Sequence, residues 1–361
     1  MRSRTWRSAA LIAVLAMAAA ACSNSSSAGA GNGSGAPSCP SDFKVGLALD
    51  VGGLGDQSFN DAANRGLQQA ITDGLVCKDN TKLIPSNANG TNLDDNTQAL
   101  ANAGYNYVEG VGFSFSPGIA KIAAQFPSVD FGVIDGYATF LPGGKNAPNV
   151  ADLTFKEQEG SYLVGIAAAM QAQKDGSTTV GFLGGQTGPL IQKFQAGYTA
   201  GIQSVDPNIN VLVEYIGDST QAFVNPTAAK ALSEKMYNAG ADVIYHAAGL
   251  SGAGLFQAAA EKKKWAIGVD SDQYLTASAD QQPYILTSML KRVDTATYNA
   301  IKQAGEGSFT SGFQVFGLAE DGIDFSTSNS ALSQDMIDAM NAAKAKIIAG
   351  DITVPEKPVG A

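Results

Sequence analysis

Residues 44–66 read KVGLALDVGGLGDQSFNDAANRG, and this stretch decides the fold. Val45 to Leu49 is a short apolar run of the kind that forms a buried strand. Asp50 ends it, and Gly52, Gly53 and Gly55 make a turn. Asp56 to Asp61 then reads as a helix start, with polar groups ahead of good helix formers and acids near the positive end of the helix dipole. Strand, glycine turn and helix in that order form one unit of an open α/β sheet, whose ligands bind beyond the carboxyl ends of the strands. Asp50, Phe59 and Asn60 therefore fall on one crevice. A carboxylate, an aromatic face and an amide suit a polar, ring-containing small molecule.

The glycines alone would suggest a dinucleotide site, but Gly53-x-Gly55 lacks a third glycine at the right spacing. The fuller pattern D-x-G-G-x-x-D-x-S-F-N, carried by Asp50, Gly52, Gly53, Asp56, Ser58, Phe59 and Asn60, resembles the signature of the basic membrane protein (PnrA-like) family. These are bacterial lipoproteins, the substrate-binding proteins of a class of ABC importers whose studied members bind nucleosides. Several fixed residue types at fixed spacing make the match specific, and the resemblance runs from about Phe43 through nearly all of the remaining chain.

Working outward, strands and helices alternate, which means parallel, doubly wound sheets. Lys82–Pro85, Tyr107–Phe113 and Phe131–Gly136 read as strands in a first half. Asp135, like Asp50, follows the last apolar residue of a strand, where an acid serves either a ligand or a turn. Phe113 lines the crevice or packs beneath it. A second half repeats the architecture with strands near 179–183, 211–215, 243–246 and 265–270. Gly184-Gly185 with Phe194, Gly197 and Gly201 matches a second family signature, in which the aromatic residue faces the ligand ring; on periodicity alone Phe194 is equally a helix core residue. Ile267-Gly268-Val269-Asp270-Ser271-Asp272-Gln273 is close to the family's I-G-V-D-x-D-Q, and Asp270 ends another apolar strand. Lys291, after Ile285–Met289, resembles the lysine of the family's S-x-x-K segment, against a solvated helix start as the plain alternative.

The fold class expected is α/β: a type I periplasmic-binding-protein architecture of two doubly wound parallel-sheet domains joined by a hinge. Residues 41–152 with 280–310 are assigned to the first domain and 153–279 with 311–361 to the second, the strand before Lys291 returning the chain to the first. A crevice between two such domains suits ligand capture by closure.

At the start, Arg2, Arg4 and Arg7 precede an apolar stretch too short to span a bilayer, ending Ala19-Ala20-Ala21-Cys22. This reads as a signal peptide over 1–21; a cysteine directly after the small residues resembles a bacterial lipobox, with Cys22 as a lipidated first residue, against an ordinary signal peptide with an incidental cysteine as the plain alternative. Residues 22–40 read as a Ser/Gly/Ala tether, reaching roughly 20–25 Å. The protein is thus expected outside the cytoplasm, held to the outer face of the cell membrane by lipid. The chain carries a net charge of −10, which falls to near −13 once the three arginines of the leader are removed. So acidic a surface excludes nucleic acid as a partner. Cys39 precedes the first strand and Cys77 follows the first helix, both at the end of the layer away from the crevice. They form either a disulfide, in an oxidising compartment, or two buried thiols.

No zinc spacing, P-loop or nucleophile elbow is present, and the single histidine, His246, ends a strand. No cofactor, no metal and no catalytic residue is expected. The resemblance implies a monomer that binds a nucleoside, purine favoured, and passes it to an ABC permease. The base would lie between Phe59 and Phe194, with Asn60 and Asp135 on its polar edge. Asp50, Gly249, Asp270 and Lys291 would hold the ribose. The alternatives are a sugar-binding or ligand-sensing lipoprotein of the same fold and a nucleoside hydrolase, whose strand-end acids would have to hold a metal.

Overall fold

A computed structural model describes residues 39–358. The leader, Cys22 and most of the tether lie outside the described residues. In chain order, β1 (Val45–Leu49), α1 (Phe59–Thr72), β2 (Thr81–Pro85), α2 (Leu93–Asn102), β3 (Tyr107–Val111), α3 (Ser116–Ile122), β4 (Asp130–Ile134) and β5 (Val150–Phe155) come first. Then follow α4 (Glu157–Lys174), β6 (Thr179–Gln186), α5 (Pro189–Val205), β7 (Asn210–Gly217), α6 (Pro226–Asn238), β8 (Val243–Ala247), α7 (Gly252–Lys262), β9 (Trp265–Asp270), α8 (Gln273–Thr276) and β10 (Ile285–Lys291). The chain closes with α9 (Val293–Gly305), β11 (Gly312–Phe316), β12 (Ile323–Phe325) and α10 (Gln334–Ala349).

Two six-stranded sheets result, in the orders β11-β5-β4-β3-β1-β2 and β12-β10-β9-β8-β6-β7. Every pairing is parallel except that of β12 with β10. Each sheet with its covering helices forms one lobe, the first and the second in that order. All five residues of β1 are buried, as expected for a parallel strand covered on both faces. The period of two divides them. Val45, Leu47 and Leu49 pack with Ala62, Ala63 and Leu67 of α1, whereas Ala48 packs with the layer of Leu93, Leu100 and Phe115. Gly46 has no side chain because Leu100 occupies that space.

The chain passes between lobes three times, from β5 to α4, from β10 to α9, and from β11 to β12. The domain bounds differ from those expected. The strand Ile285–Lys291 stays in the second sheet beside β9, and the chain returns to the first lobe only after it, as α9 packing on α1. Gly312–Phe316, assigned to the second domain, pairs with β5 as the edge of the first sheet. Its half-exposed pattern fits that edge: Phe313 and Val315 are exposed.

Two strands escape the sequence reading. β12 is only three residues long. β5 is fully buried but carries Asp152 in its middle, which interrupts the apolar run. The carboxylate is satisfied by the loop after β4, accepting from the amide of Ala138 at 2.9 Å and from the amide and hydroxyl of Thr139 at 2.8 and 2.6 Å. Gly197 and Gly201 serve packing: a Cβ on either would strike the backbone of α4, at Gln158 and Tyr162. Cys39 and Cys77 are joined as a disulfide, with a Cα–Cα separation of 5.1 Å. Among the described residues no helix is long and apolar enough to cross a membrane.

Candidate ligand-binding site

The turn after β1 is built from its own acids. Asp56 accepts through Oδ1 from the amides of Ser58 (3.0 Å) and Asp61 (3.1 Å), and through Oδ2 from the amide of Asn60 (2.8 Å). Asp61 accepts from the amides of Gly55 and Gln57, each at 2.9 Å. The Asn60 side chain accepts from the Asp50 amide at 2.8 Å and donates to Asp56 at 3.0 Å. Asn60 therefore spends its amide on holding the turn, a task that reading it as a ligand group did not foresee. Gly52 and Gly55, both at φ +94°, make the turn possible, since only glycine adopts that conformation readily.

Asp135, directly after β4, and Asp270, the last residue of β9, have left-handed backbone, at φ +59° and +64°. Asp and Asn bear that conformation better than other side chains. Strain of this kind is concentrated at functional sites, and here it turns two carboxylates toward one cavity between the lobes. Asp50, Phe59, Asn60, Asp135, Phe194, Gly249, Asp270 and Lys291, the residues singled out from sequence, all line that cavity, as do Phe113 and Phe223. Gly112, at φ +126°, leaves room for the Asp50 carboxylate, which a Cβ would strike.

Lys291 is the charge centre. Its ammonium pairs with Asp135 at 2.6 Å and Glu157 at 3.3 Å, and is 2% exposed. Three rings surround it: Phe155 at 5.0 Å, Phe59 at 5.2 Å and Phe194 at 5.6 Å from the centroids. Phe59 and Phe194 are thus brought to one cation. Glu157 also pairs with Lys193 at 3.2 Å. Phe113 of the first lobe meets Phe223 of the second edge-on, with centroids 6.5 Å apart.

Sequence reasoning missed Glu157, Phe155 and Phe223. Phe155 and Glu157 flank the end of the unrecognised β5. Phe223 lies in a short turn after β7 with no motif around it, and its only local trace is Gly185, where a Cβ would strike its ring. His246 is fully buried, its Nε2 3.0 Å from Gln273 Oε1, and burial pushes its pKa down to about 4. It lies among the core rather than at the cavity.

Burial raises the Asp50 carboxyl to about 7, and raises Asp135 to about 6 against the pull of Lys291. Burial also raises Asp270, with Lys291 and Ser58 opposing it. Burial alone would lower the Lys291 ammonium, but Asp135, Glu157 and Asp270 outweigh it and hold it above its ordinary range. A pH dependence follows. An acid whose folded pKa exceeds its unfolded value of 3.8 holds its proton more tightly when folded. Its contribution is therefore complete at low pH and lost as pH rises towards 7. The melting temperature of the ligand-free protein, read by calorimetry, is expected to fall between pH 5 and pH 8, the raised acids together outweighing the single buried His246, whose lowered pKa acts in the opposite sense below about 6.5. A rise over that range would contradict these assignments.

Chemically the cavity offers carboxylate acceptors in excess over one ammonium, with aromatic walls. It can accept from hydroxyl and N–H donors on a neutral ring-bearing molecule.

The family model described as "ABC transporter substrate-binding protein PnrA-like" matches residues 43–358. A Listeria monocytogenes protein named CD4+ T-cell-stimulating antigen is 34% identical over 333 residues, 88% of this chain and 89% of that one. The ABC transporter nucleoside-binding protein BmpA of Lactococcus lactis subsp. cremoris is 30% identical over 331 residues, 88% of this chain and 90% of that one. Among solved structures, an ABC transporter solute-binding protein from Aeropyrum pernix K1 superposes with a TM-score of 0.72 at 27% identity, covering 87% of this chain and 94% of that one.

Proposed function

Because this chain belongs to the PnrA-like family of ABC transporter substrate-binding proteins, with the type I periplasmic-binding-protein fold, we propose that it captures a nucleoside between its lobes and delivers it to an import permease. The observation that carries the reading is the convergence of Asp50, Asp135 and Asp270 from strand ends of both lobes onto a cavity walled by Phe59, Phe194 and Phe223. Asp50 and Asp270 accept from the ribose hydroxyls, close to the Gly249 backbone. The base lies against Phe59, where stacking contributes about 1–3 kcal/mol. Asp135, whose Oδ1 is buried without a hydrogen-bond partner, accepts from an N–H on the base edge. Asn60 holds the turn that places Asp50. Lys291 keeps the acids paired and adds a donor towards the ribose oxygens. A purine is favoured, since two fused rings present more area to the aromatic walls. The relative named as nucleoside-binding supports the ligand class.

The acid-lined site selects a nucleoside over its phosphate. The protein works outside the cytoplasm as a monomer, held by lipid at Cys22. The test is the molecule that accompanies the protein as purified, released by denaturation and identified by mass spectrometry. An intact nucleoside is expected. A free sugar would move the chain to a sugar importer, and free base with ribose would mark a hydrolase.

A further inference from the structure

Ser58 belongs to the opening motif, yet it is not among the residues that line the cavity. It stands at the N-cap of α1, where a serine ordinarily accepts a hydrogen bond from an amide two or three residues on. Here its side chain makes no such cap. Asp56 covers the first-turn amides instead, through the three bonds described above. The Ser58 hydroxyl is thereby released and crosses to the second lobe. It lies 2.6 Å from Asp270 Oδ2, to which it donates, and 3.2 Å from the carbonyl of Val269.

The crossing is braced from the other side. Ser271 Oγ donates to the Ser58 carbonyl at 2.9 Å, and Arg65 donates to Ser271 Oγ at 2.9 Å. Ser58 and Asp270 are both buried, so water does not compete for the bond, and one with an ionised acceptor is among the stronger kinds.

We propose that Ser58 is a positioning residue, holding one oxygen of Asp270 from the opposite lobe so that the other is presented to the ligand. This rests on the reading that Asp270 binds the ligand. It accounts for two residues of the motif at once: Asp56 caps the helix so that Ser58 need not. It also makes the orientation of a second-lobe carboxylate depend on the first lobe being in place.

The test is run first without any ligand. The Asp270 carboxyl carbon is titrated by NMR in the wild type, in S58A and in S58T, with D270N identifying the signal. Asp56, Glu157, Asp135 and Lys291 also act on Asp270, and all four are present in each of the three proteins titrated. Loss of the donor is expected to move the S58A midpoint up by about one pH unit, and threonine, which keeps the hydroxyl, restores it. If S58A fails to fold, S58C, a poorer donor of similar volume, takes its place. With guanosine as probe, S58A is expected to bind about tenfold more weakly, again with rescue by threonine. An unchanged midpoint in S58A overturns the proposal. A shifted midpoint in a protein whose wild type ignores guanosine upholds the role of Ser58 and instead contradicts the nucleoside reading.

Discussion

Lys291→Met is expected to lower the unfolding free energy by about 3–5 kcal/mol at pH 8. Methionine fills a similar volume, so the loss is not one of packing. It arises because Asp135 and Glu157, 4% and 1% exposed at their side chains, are left as buried carboxylates without their shared cation. Lys193 still reaches Glu157 at 3.2 Å, but Asp135 has no other cation partner among the described residues. The three rings around the ammonium also lose a cation worth about 0.5–2 kcal/mol. At pH 5 the loss is expected to shrink, because the orphaned acids neutralise by taking up protons. Urea denaturation at both pH values checks this. A loss below about 1 kcal/mol at pH 8 would mean that the carboxylates are already protonated or hydrated, and that Lys291 is not the charge centre.

Asp270→Asn separates binding from stability. Asparagine keeps the shape of the side chain and tolerates the left-handed backbone at this position. It replaces an ionised acceptor with an amide, so nucleoside affinity is expected to fall by about 30- to 1,000-fold, the effect of leaving ligand hydroxyls without a carboxylate partner. Stability moves the other way. Burial raises the Asp270 pKa, so its charge is held at a cost in the folded protein, and the neutral amide is expected to leave the melting temperature at pH 8 unchanged or higher. Titration calorimetry and thermal melts on the same sample check both halves. Full affinity in D270N would remove Asp270 from the ligand set. Lost affinity together with a collapsed melting temperature would make it a structural residue.

The legibility of the fold and site divides along sequence distance. β1, its glycine turn and the start of α1 were readable because each signal there is local, down to the acids that bind neighbouring amides. The strand-end acids Asp50, Asp135 and Asp270 were readable because each follows an apolar run directly. β5 was not, because Asp152 is tolerated only through the loop at 138–139. Glu157 gains its meaning when the ends of β5 and β10 meet, and Ser58 when β9 reaches α1 across 212 residues. The strand before Lys291 belongs to the second lobe and not the first: its apolar run fits either sheet, and its pairing with β9 decides. The motif marks Asn60, but its amide serves Asp50 and Asp56, a partnership that spacing alone does not show.

The most direct test of the central claim is titration calorimetry of the ligand-stripped protein at pH 8 with guanosine, inosine, uridine, ribose and guanosine monophosphate. The account predicts one site, with guanosine or inosine bound at least about tenfold more tightly than either ribose or the monophosphate. Ribose or the monophosphate binding as well as the nucleosides would contradict it: the first would remove the base from recognition, and the second would show that the acids of the crevice do not repel a phosphate.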